Sequence, residues 1–564
     1  MKKNKIVIYQ VLPRLFGNTT TELKHNGTFE ENGCGKMSDF TDKVLKQISN
    51  IGSTHIWYTG IIEHATQTAF SNPKIASDHP AILKGKAGSP YAIKDYYDVA
   101  PSLATNIKNR VKEFEELVER SHKNKLKVII DFVPNHVARQ YKSDAQPKGT
   151  TQLGAKDNNT VAFDANNNFY YIPNTPLTPH FDLAADGVKA YSENPAKATG
   201  NDQFSAYPER NDWYETIKLN YGVNYLDNRS KHFDPIPQTW TQMRDILLFW
   251  AGKGIDGFRC DMVEMVPVEF WNWVIPTIKE SFPELIFIAE AYDPNQYRNY
   301  LFDGHFDYLY DKVGLYDTLR NVMIGHQSAS DITGCWQAIE GIEGRMLNFL
   351  ENHDEQRVAS EFFANDPYKG IPALAVAAGL HTGPMMVYFG QEFGEKGMDE
   401  EGFSGRDGRT TIFDYWSVDT VRRWYNGGKV NTTHLTEGEI YLYNKYKRIL
   451  TIARDEQAVT QGELFDLTYA NPHTDLFNPH RQYVFIRKYK KEVLLFVVNF
   501  DAEDKNIGIN IPQHAFDYLK ITPKKEVEAT DLIEKEKETI SFTPELQTTT
   551  QVNKHSCKIL KFKI

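Results

Sequence analysis

Cysteine is scarce in this sequence: four in 564 residues, at Cys34, Cys260, Cys335 and Cys557, far apart and without CxxC spacing. That excludes a disulfide scaffold and a cysteine-built metal or redox centre, and the four are expected to be reduced and structural. Long apolar runs are missing too, since no stretch approaches the ~20 residues that cross a bilayer. No membrane partner is therefore expected. Basic charge has no surplus: 64 Lys+Arg stand against 74 Asp+Glu, a net charge of −10. A nucleic-acid binder should show the opposite balance, a basic face, and the short pair Lys524-Lys525 is a solvated patch rather than a binding tract. The first residues, Met1-Lys2-Lys3-Asn4-Lys5, are basic, but only Ile6-Val7-Ile8-Tyr9 follows them. A secretory leader needs ~7–15 apolar residues and a small-residue cleavage site. As written the chain reads as cytoplasmic, or as secreted or periplasmic if a leader has been removed. Repeats and low-complexity tracts are absent as well.

What is present is the composition of a globular protein, 41% hydrophobic and 24% charged. Aromatics are plentiful, with 33 Phe, 30 Tyr and 9 Trp, most of them material for large cores. At ~150 residues per domain the length suggests three or four domains, although α/β barrels run longer as single units. The pattern alternates from the start. Strand candidates Ile6–Tyr9, His55–Tyr58 and Leu126–Phe132 are separated by helical spacings, first Phe40, Val44, Ile48 and Ile51, then Ile107, Val111, Phe114, Leu117 and Val118. The third strand is almost wholly apolar, as strands buried on both faces are. Trp240, Met243, Leu247 and Trp250 mark a further helix, stopped by Gly252 and Gly254. Strand candidates follow at Gly257–Cys260, Ile286–Ala289, Phe306–Leu309, Met346–Leu350 and Met386–Phe389. Eight strands in all is the number that closes a (β/α)8 barrel.

Two stretches break this rhythm. Residues 137–215 are rich in Asn, Asp, Pro and Gly and are too long for an ordinary loop, so an irregular inserted domain is expected after the third strand. Beyond residue 457, strands such as Tyr483–Lys488 and Val493–Asn499 follow one another without long helices, which points to a separate all-β domain. The expected division is residues 1–136 and 216–456 for a split barrel, 137–215 for the insert and 457–564 for a β-sandwich.

In such barrels the chemistry sits at the C-terminal ends of the strands. Strand three ends Asp131-Phe132-Val133-Pro134-Asn135-His136, strand four Gly257-Phe258-Arg259-Cys260-Asp261, strand five Ile288-Ala289-Glu290-Ala291-Tyr292 and strand seven Leu350-Glu351-Asn352-His353-Asp354. Three acids, Asp261, Glu290 and Asp354, are thereby brought to one rim with two histidines and an arginine. Residues i and i+2 of a strand share a face, so Arg259 should lie beside Asp261 while Cys260 points to the helical layer. A neighbouring guanidinium favours the ionised carboxylate, and on that ground a lowered pKa is expected at Asp261. Glu290 follows an apolar run that should raise its pKa. One charged and one protonated carboxylate is the division of labour in glycoside hydrolysis.

These four segments, in this order, resemble the signature regions of the α-amylase family of glycoside hydrolases. The resemblance implies a (β/α)8 barrel with an insert after strand three and a C-terminal β-sandwich. It makes Asp261 the nucleophile, Glu290 the general acid/base and Asp354 the transition-state stabiliser. It further implies that His136 and His353 hydrogen-bond the sugar, that Arg259 orients Asp261, that Tyr91 stacks on the sugar and that Arg357 contacts it. Such a retaining mechanism places Asp261 and Glu290 ~5–5.5 Å apart. The implied partner is an α-glucan or maltooligosaccharide, with hydrolysis of α-1,4 bonds in starch-, glycogen- or maltodextrin-like chains.

The sequence also departs from the family pattern. Glu264-Met265 stands where many members have a Lys-His pair on the leaving-group side. Lys218-Leu219-Asn220 is similar to the neopullulanase and cyclomaltodextrinase branch, which accepts α-1,6 bonds, so a debranching or transglycosylating enzyme is the alternative. No cofactor is needed for the chemistry. A structural calcium at the barrel–insert junction is common in the family, and Asn135 matches one of its ligands. The family also includes non-enzymatic ectodomains of transporter heavy chains, but those carry a membrane helix and typically lose catalytic acids, all three of which are kept here.

Overall fold

The computed structural model describes residues 5–70, 75–185, 187–397, 402–403 and 405–564. Eight parallel strands close into a barrel: β1 (Val7–Val11), β2 (His55–Tyr58), β3 (Lys127–Phe132), β4 (Gly257–Cys260), β5 (Ile286–Ala289), β6 (Tyr308–Tyr310), β7 (Met346–Phe349) and β8 (Met385–Tyr388). β1 pairs with both β2 and β8, which leaves no free edge. Every apolar run expected to be a strand is one, with ends displaced by a residue or two. Alternation along each strand divides the side chains between two environments. Ile8, Trp57, Ile129, Ile288, Tyr310, Leu347, Phe349 and Met386 point inward and plug the barrel. Val128, Ile130, Phe258, Cys260, Phe287 and Val387 point outward into the core shared with the helices. Both faces are buried, which is why the runs are nearly unbroken in sequence.

The helices follow their apolar spacing. α1 (Asp42–Asn50) starts at Thr41, whose hydroxyl accepts from the Val44 amide at 3.3 Å, and buries Val44, Leu45 and Ile48. α2 (Arg110–Lys123) buries Phe114, Leu117 and Val118. α3 (Gln238–Ala251) buries Trp240, Met243, Leu247 and Trp250 and ends at Gly252. After β3 the chain leaves the barrel. Its first residues, His136–Ala138, pair antiparallel with the returning Thr216–Lys218, His136 opposite Lys218. Between them the polar chain is mostly irregular, with a two-residue ladder of Tyr171–Ile172 on Ala196–Lys197 and a small core of Leu177, Ala196 and Ala206.

The C-terminal part is antiparallel. β9 (Glu463–Asp466), β10 (Gln482–Tyr489), β11 (Glu492–Asn499), β13 (Lys524–Asp531), β14 (Lys537–Phe542) and β16 (Ser556–Lys563) form one sheet in the order β9-β10-β11-β16-β13-β14. β12 (Lys505–Ile509) pairs with β15 (Thr548–Val552) to form the second, smaller layer. The period of two again sorts the residues. Tyr483, Phe485, Leu494, Phe496, Val498 and Ile559 join the core of the barrel and its helices. Val484, Ile486, Val493, Leu495, Val497 and Leu560 meet Ile507, Ile509 and Val552 in a separate core. The helix α4 (Gly370–Gly379), all of it buried, touches this sheet on one side and the barrel on the other. Gly379 is required there, since a Cβ would stand 2.4 Å from Phe496 Cε1.

All four cysteines are free thiols, and no described helix is long and apolar enough to cross a membrane. A single side chain on β10 fastens the sheet to its neighbours. Arg487 is buried and donates to the carbonyls of Leu380 (2.7 Å), Ala458 (3.1 Å), Val459 (3.0 Å) and Gly462 (2.7 Å). Burial lowers its pKa to about 10, and the carbonyl dipoles are what hold the charge. Replacing it by methionine keeps the stem and strands these acceptors. Arg487→Met should therefore cost at least about 3 kcal/mol in unfolding free energy, measured by chemical denaturation, given ~1–3 kcal/mol for each buried group left unsatisfied.

Candidate active site

The register of the barrel sets one layer of polar side chains above the apolar plug. Arg259 on β4 stands opposite Asp131 on β3 and Ile288 on β5. Its guanidinium is 0% exposed and is the centre of the site. Nη1 donates to Asp261 Oδ1 at 2.7 Å and lies 3.7 Å from Asp131 Oδ1. Nη2 lies 2.6 Å from Glu290 Oε1, and Nε donates to the Tyr310 hydroxyl at 3.2 Å. The rings of Trp57, Tyr91 and Tyr310 surround it at 5.4–5.5 Å. Cys260, between Arg259 and Asp261, is on the outer face as the alternation requires.

Backbone ladders carry the acids past the strand ends. The Asp261 amide bonds to the Phe132 carbonyl at 2.9 Å and the Glu290 amide to the Cys260 carbonyl at 3.1 Å. Met262 then turns the chain at φ +43°, a left-handed conformation uncommon for a side-chain-bearing residue. That turn aims its amide at Glu290 Oε2, 2.8 Å away. The Tyr292 hydroxyl donates to the other oxygen at 2.7 Å. Glu290 is thus fixed at both oxygens and by an ion pair.

Burial dominates the electrostatics. It raises the pKa of Glu290 to about 7, with Asp261 and Asp354 adding to the rise and Arg259 opposing it. Asp261 is raised as well: desolvation outweighs the guanidinium beside it. The lowered pKa expected from the Arg259-Asp261 spacing is therefore overturned, because the spacing predicts the cation but not the loss of water. Asp354 differs. Its side chain is 42% exposed to the cavity, and although partial burial opposes ionisation, His353 and then Arg259 hold it down to about 2. Its carboxylate meets His353 Nε2 at 2.9 Å, while Gln10 meets Nδ1 at 2.9 Å. Burial disfavours a charge on His353, but Asp354 outweighs it and raises the pKa of the ring.

These groups open onto a cavity of about 450 Å³, lined by Tyr91, His136, Asp261, Glu290, His353 and Asp354 among others. Tyr91 stacks on the His353 ring at 5.1 Å and 22°, and its hydroxyl donates to Asp131 Oδ1 at 3.3 Å. Burial and the cations Lys218 and Lys84 lower the pKa of His136 to about 3, so its ring is neutral. Four of the residues on this wall had no signal in the strand-end motifs: Trp213, Arg409, Ile412 and Phe413. They come from the insert and from the loop after β8, whose approach to the rim depends on long-range packing. A larger hollow of about 810 Å³ lies at the other end of the barrel, beside Ser53, Thr54 and Lys125 just before β2 and β3.

Two expectations change, for Arg357 and Asn135. Arg357 is fully buried and does not line the cavity. Nη1 donates to Glu351 Oε2 at 2.8 Å, Nε donates to Thr410 Oγ1 at 2.8 Å, and the guanidinium covers the Tyr388 ring at 4.2 Å. The arginine at the cavity is Arg409, which extends no strand-end motif. Glu264 turns away from the cavity and accepts from the amides of Tyr292 (2.9 Å) and Asp293 (3.0 Å), bracing the loop that carries Glu290. Asn135 does not fit a calcium ion. Its Oδ1 accepts from Lys218 Nζ at 2.6 Å, and that ammonium also lies 2.5 Å from Asp202 Oδ1 and 3.4 Å from the Met265 carbonyl. A cation of the chain itself fills the oxygen set, and a divalent ion beside it would be repelled.

Comparison with known proteins agrees with this geometry. Residues 10–468 match the family described as "Alpha amylase, catalytic domain". Alpha-amylase 3 of Dictyoglomus thermophilum is 24% identical over 397 residues, 66% of this chain and 68% of that protein. An α-1,4-glucan:maltose-1-phosphate maltosyltransferase of Corynebacterium pseudotuberculosis is 27% identical over 295 residues, 50% of this chain but 32% of its own length. Among solved structures, a noncanonic maltogenic α-amylase from Thermotoga neapolitana superposes with a TM-score of 0.63 at 18% identity, covering 99% of both chains. With the match running from within β1 through β8 and the site lying at the barrel's rim, the chain belongs to the α-amylase family and is a glycoside hydrolase.

Proposed function

We propose that this enzyme cleaves α-1,4-glucosidic bonds within starch-, glycogen- or maltodextrin-like chains, retaining the anomeric configuration through a covalent glycosyl-enzyme. The observation that carries the reading is Arg259 holding Asp261 and Glu290 at once, 2.7 and 2.6 Å from its two terminal nitrogens. One guanidinium holds both carboxyls, which supports a retaining pair, with an expected separation of ~5–5.5 Å, over an inverting pair at ~6.5–9.5 Å.

Glu290, with a pKa of about 7, is protonated in a large fraction at neutral pH and gives its proton to the glycosidic oxygen. Asp261, ionised and aimed by Arg259, bonds to the anomeric carbon as the leaving sugar departs. Asp354, held anionic by His353, faces the positive charge that builds on the ring. Forming the ester removes the charge on Asp261, one of the groups raising the pKa of Glu290. The Glu290 pKa then falls, so the carboxylate left by the first proton transfer stays ionised and can accept the proton of the water that releases the sugar. Neutral His136 suits a hydroxyl-rich, uncharged substrate, and the rings of Tyr91, Trp213 and Phe413 offer apolar faces to glucose.

A transferase on the same site is the second reading, favoured by the maltosyltransferase among the relatives. The Lys218-Leu219-Asn220 resemblance to α-1,6-tolerant enzymes adds little to it, because Lys218 is already occupied in holding Asn135 and Asp202. Product time courses on maltoheptaose, amylose and pullulan separate these readings. Short products from amylose with pullulan untouched support α-1,4 hydrolysis, products longer than maltoheptaose support transfer, and maltotriose from pullulan reveals α-1,6 cleavage.

Two further outcomes are expected. Asp261→Asn should lower kcat by about 10⁴-fold or more and Glu290→Gln by roughly 10²–10⁴-fold, with unchanged circular dichroism; near-native turnover in either would refute the assigned roles. The pH profile of kcat/KM should fall on the alkaline side with an apparent pKa of about 7 as Glu290 loses its proton. It should fall on the acid side above the ordinary aspartate range as Asp261 gains one. In Glu290→Gln the alkaline limb should disappear.

A further inference from the structure

Behind the Tyr91 loop lies a group of acids that the catalytic reading does not use. The strand Ile62–His64 runs antiparallel to Ile93–Val99, with Glu63 opposite Asp95 and an irregular register on either side of that pair. One carboxylate oxygen from each of Glu63, Asp95, Asp98 and Asp144 falls within 4.8 Å of all the others. Asp95 and Asp98 are fully buried and Glu63 is 3% exposed, while Asp144, at the start of the insert, faces solvent.

The charges do not balance. Arg110 neutralises Asp98, donating from Nε to Oδ1 at 2.7 Å and from Nη2 to Oδ2. Asp95 receives only neutral donors, the Ser143 hydroxyl at 2.6 Å and the amides of Tyr97 (2.8 Å), Asp144 (2.8 Å) and Ala145 (3.0 Å). Lys94, the nearby cation, is committed to the Ala76 carbonyl at 2.5 Å and to Asp78 at 3.0 Å. The Glu63 carboxylate has no hydrogen bond or ion pair to any described residue. It is buried, unpartnered and aimed at three other carboxylates. A buried carboxylate in that position is costly unless something positive meets it.

We propose that Glu63, Asp95, Asp98 and Asp144 bind a divalent cation of the calcium class, which ties the Tyr91 loop to the first residues of the insert. The donors are all hard oxygens, and a spread of up to 4.8 Å fits ligands at 2.3–2.6 Å from a common centre. Asp144, being exposed, is the point of entry. The site is separate from Asn135, where Lys218 already supplies the positive charge, and the inference does not depend on the catalytic reading.

The test compares wild type, Glu63→Gln and Asp144→Asn after chelation with EDTA, each titrated with calcium chloride in a calorimeter and melted with and without excess calcium. Wild type should bind one equivalent and gain roughly 2–5 °C in Tm. Glu63→Gln should be at least as stable as wild type in EDTA, having lost a like charge, yet show no calcium response. Asp144→Asn, altered at an exposed position, should fold normally and bind at least ~10-fold more weakly. No heat and no Tm change in wild type at millimolar calcium would overturn the proposal, as would a calcium response undiminished in both variants.

Discussion

A guanidinium sealed inside a barrel is the constraint around which this enzyme is arranged. Arg259 has no water to solvate it, and burying an isolated charge is costly enough that partners must be supplied. The partners are Asp261, Glu290 and Asp131, with aromatic rings filling the remaining directions. Each carboxylate is in turn buried and tolerable only because Arg259 is there. This mutual dependence fixes the reacting groups more tightly than the strand ends alone could. It also explains why the acids are raised rather than lowered in pKa: the cation is shared among several anions, and each keeps the full penalty of desolvation.

The same logic, a buried charge held by fixed dipoles or counter-charges, recurs where parts of the chain meet. Lys218 joins Asn135 at the end of β3 to Asp202 in the insert. Arg487 joins the C-terminal sheet to carbonyls of the segments beside it. Arg357 joins Glu351 after β7 to Thr410 after β8. Apolar burial supplies most of the driving force for these contacts, but it is non-directional. The charged links supply direction, because each works in one geometry only.

Much was legible in advance, for reasons that can be named. A strand buried on both faces must be apolar throughout, so runs such as Leu126–Phe132 announced themselves. The three-to-four-residue spacing of Phe114, Leu117 and Val118 placed a helix face, and Tyr483 to Lys488 showed strand composition without helices nearby. The acids at the strand ends were visible because the barrel puts its chemistry there whatever the loops do. Arg357, in contrast, was misread. It follows the Asn352-His353-Asp354 motif closely, yet its side chain is captured by Glu351 and Thr410, and no local pattern reveals that capture. Nor could spacing show that Asn135 faces an ammonium instead of a metal ion, since Lys218 lies 83 positions away.

What the amino-acid sequence determined alone is therefore the periodic part: eight strands, their inward and outward faces, and the four strand ends that present Asp131, Arg259 with Asp261, Glu290 and His353 with Asp354. Periodicity and short-range order are local properties, and local sequence carries them. Tertiary structure alone decided which groups lose their water, which loop supplies Arg409 and Trp213 to the cavity wall, and which buried carboxylates meet a counter-charge. Desolvation is the physical reason. It depends on every atom packed around a group, and those atoms come from parts of the chain that only the closed fold brings together.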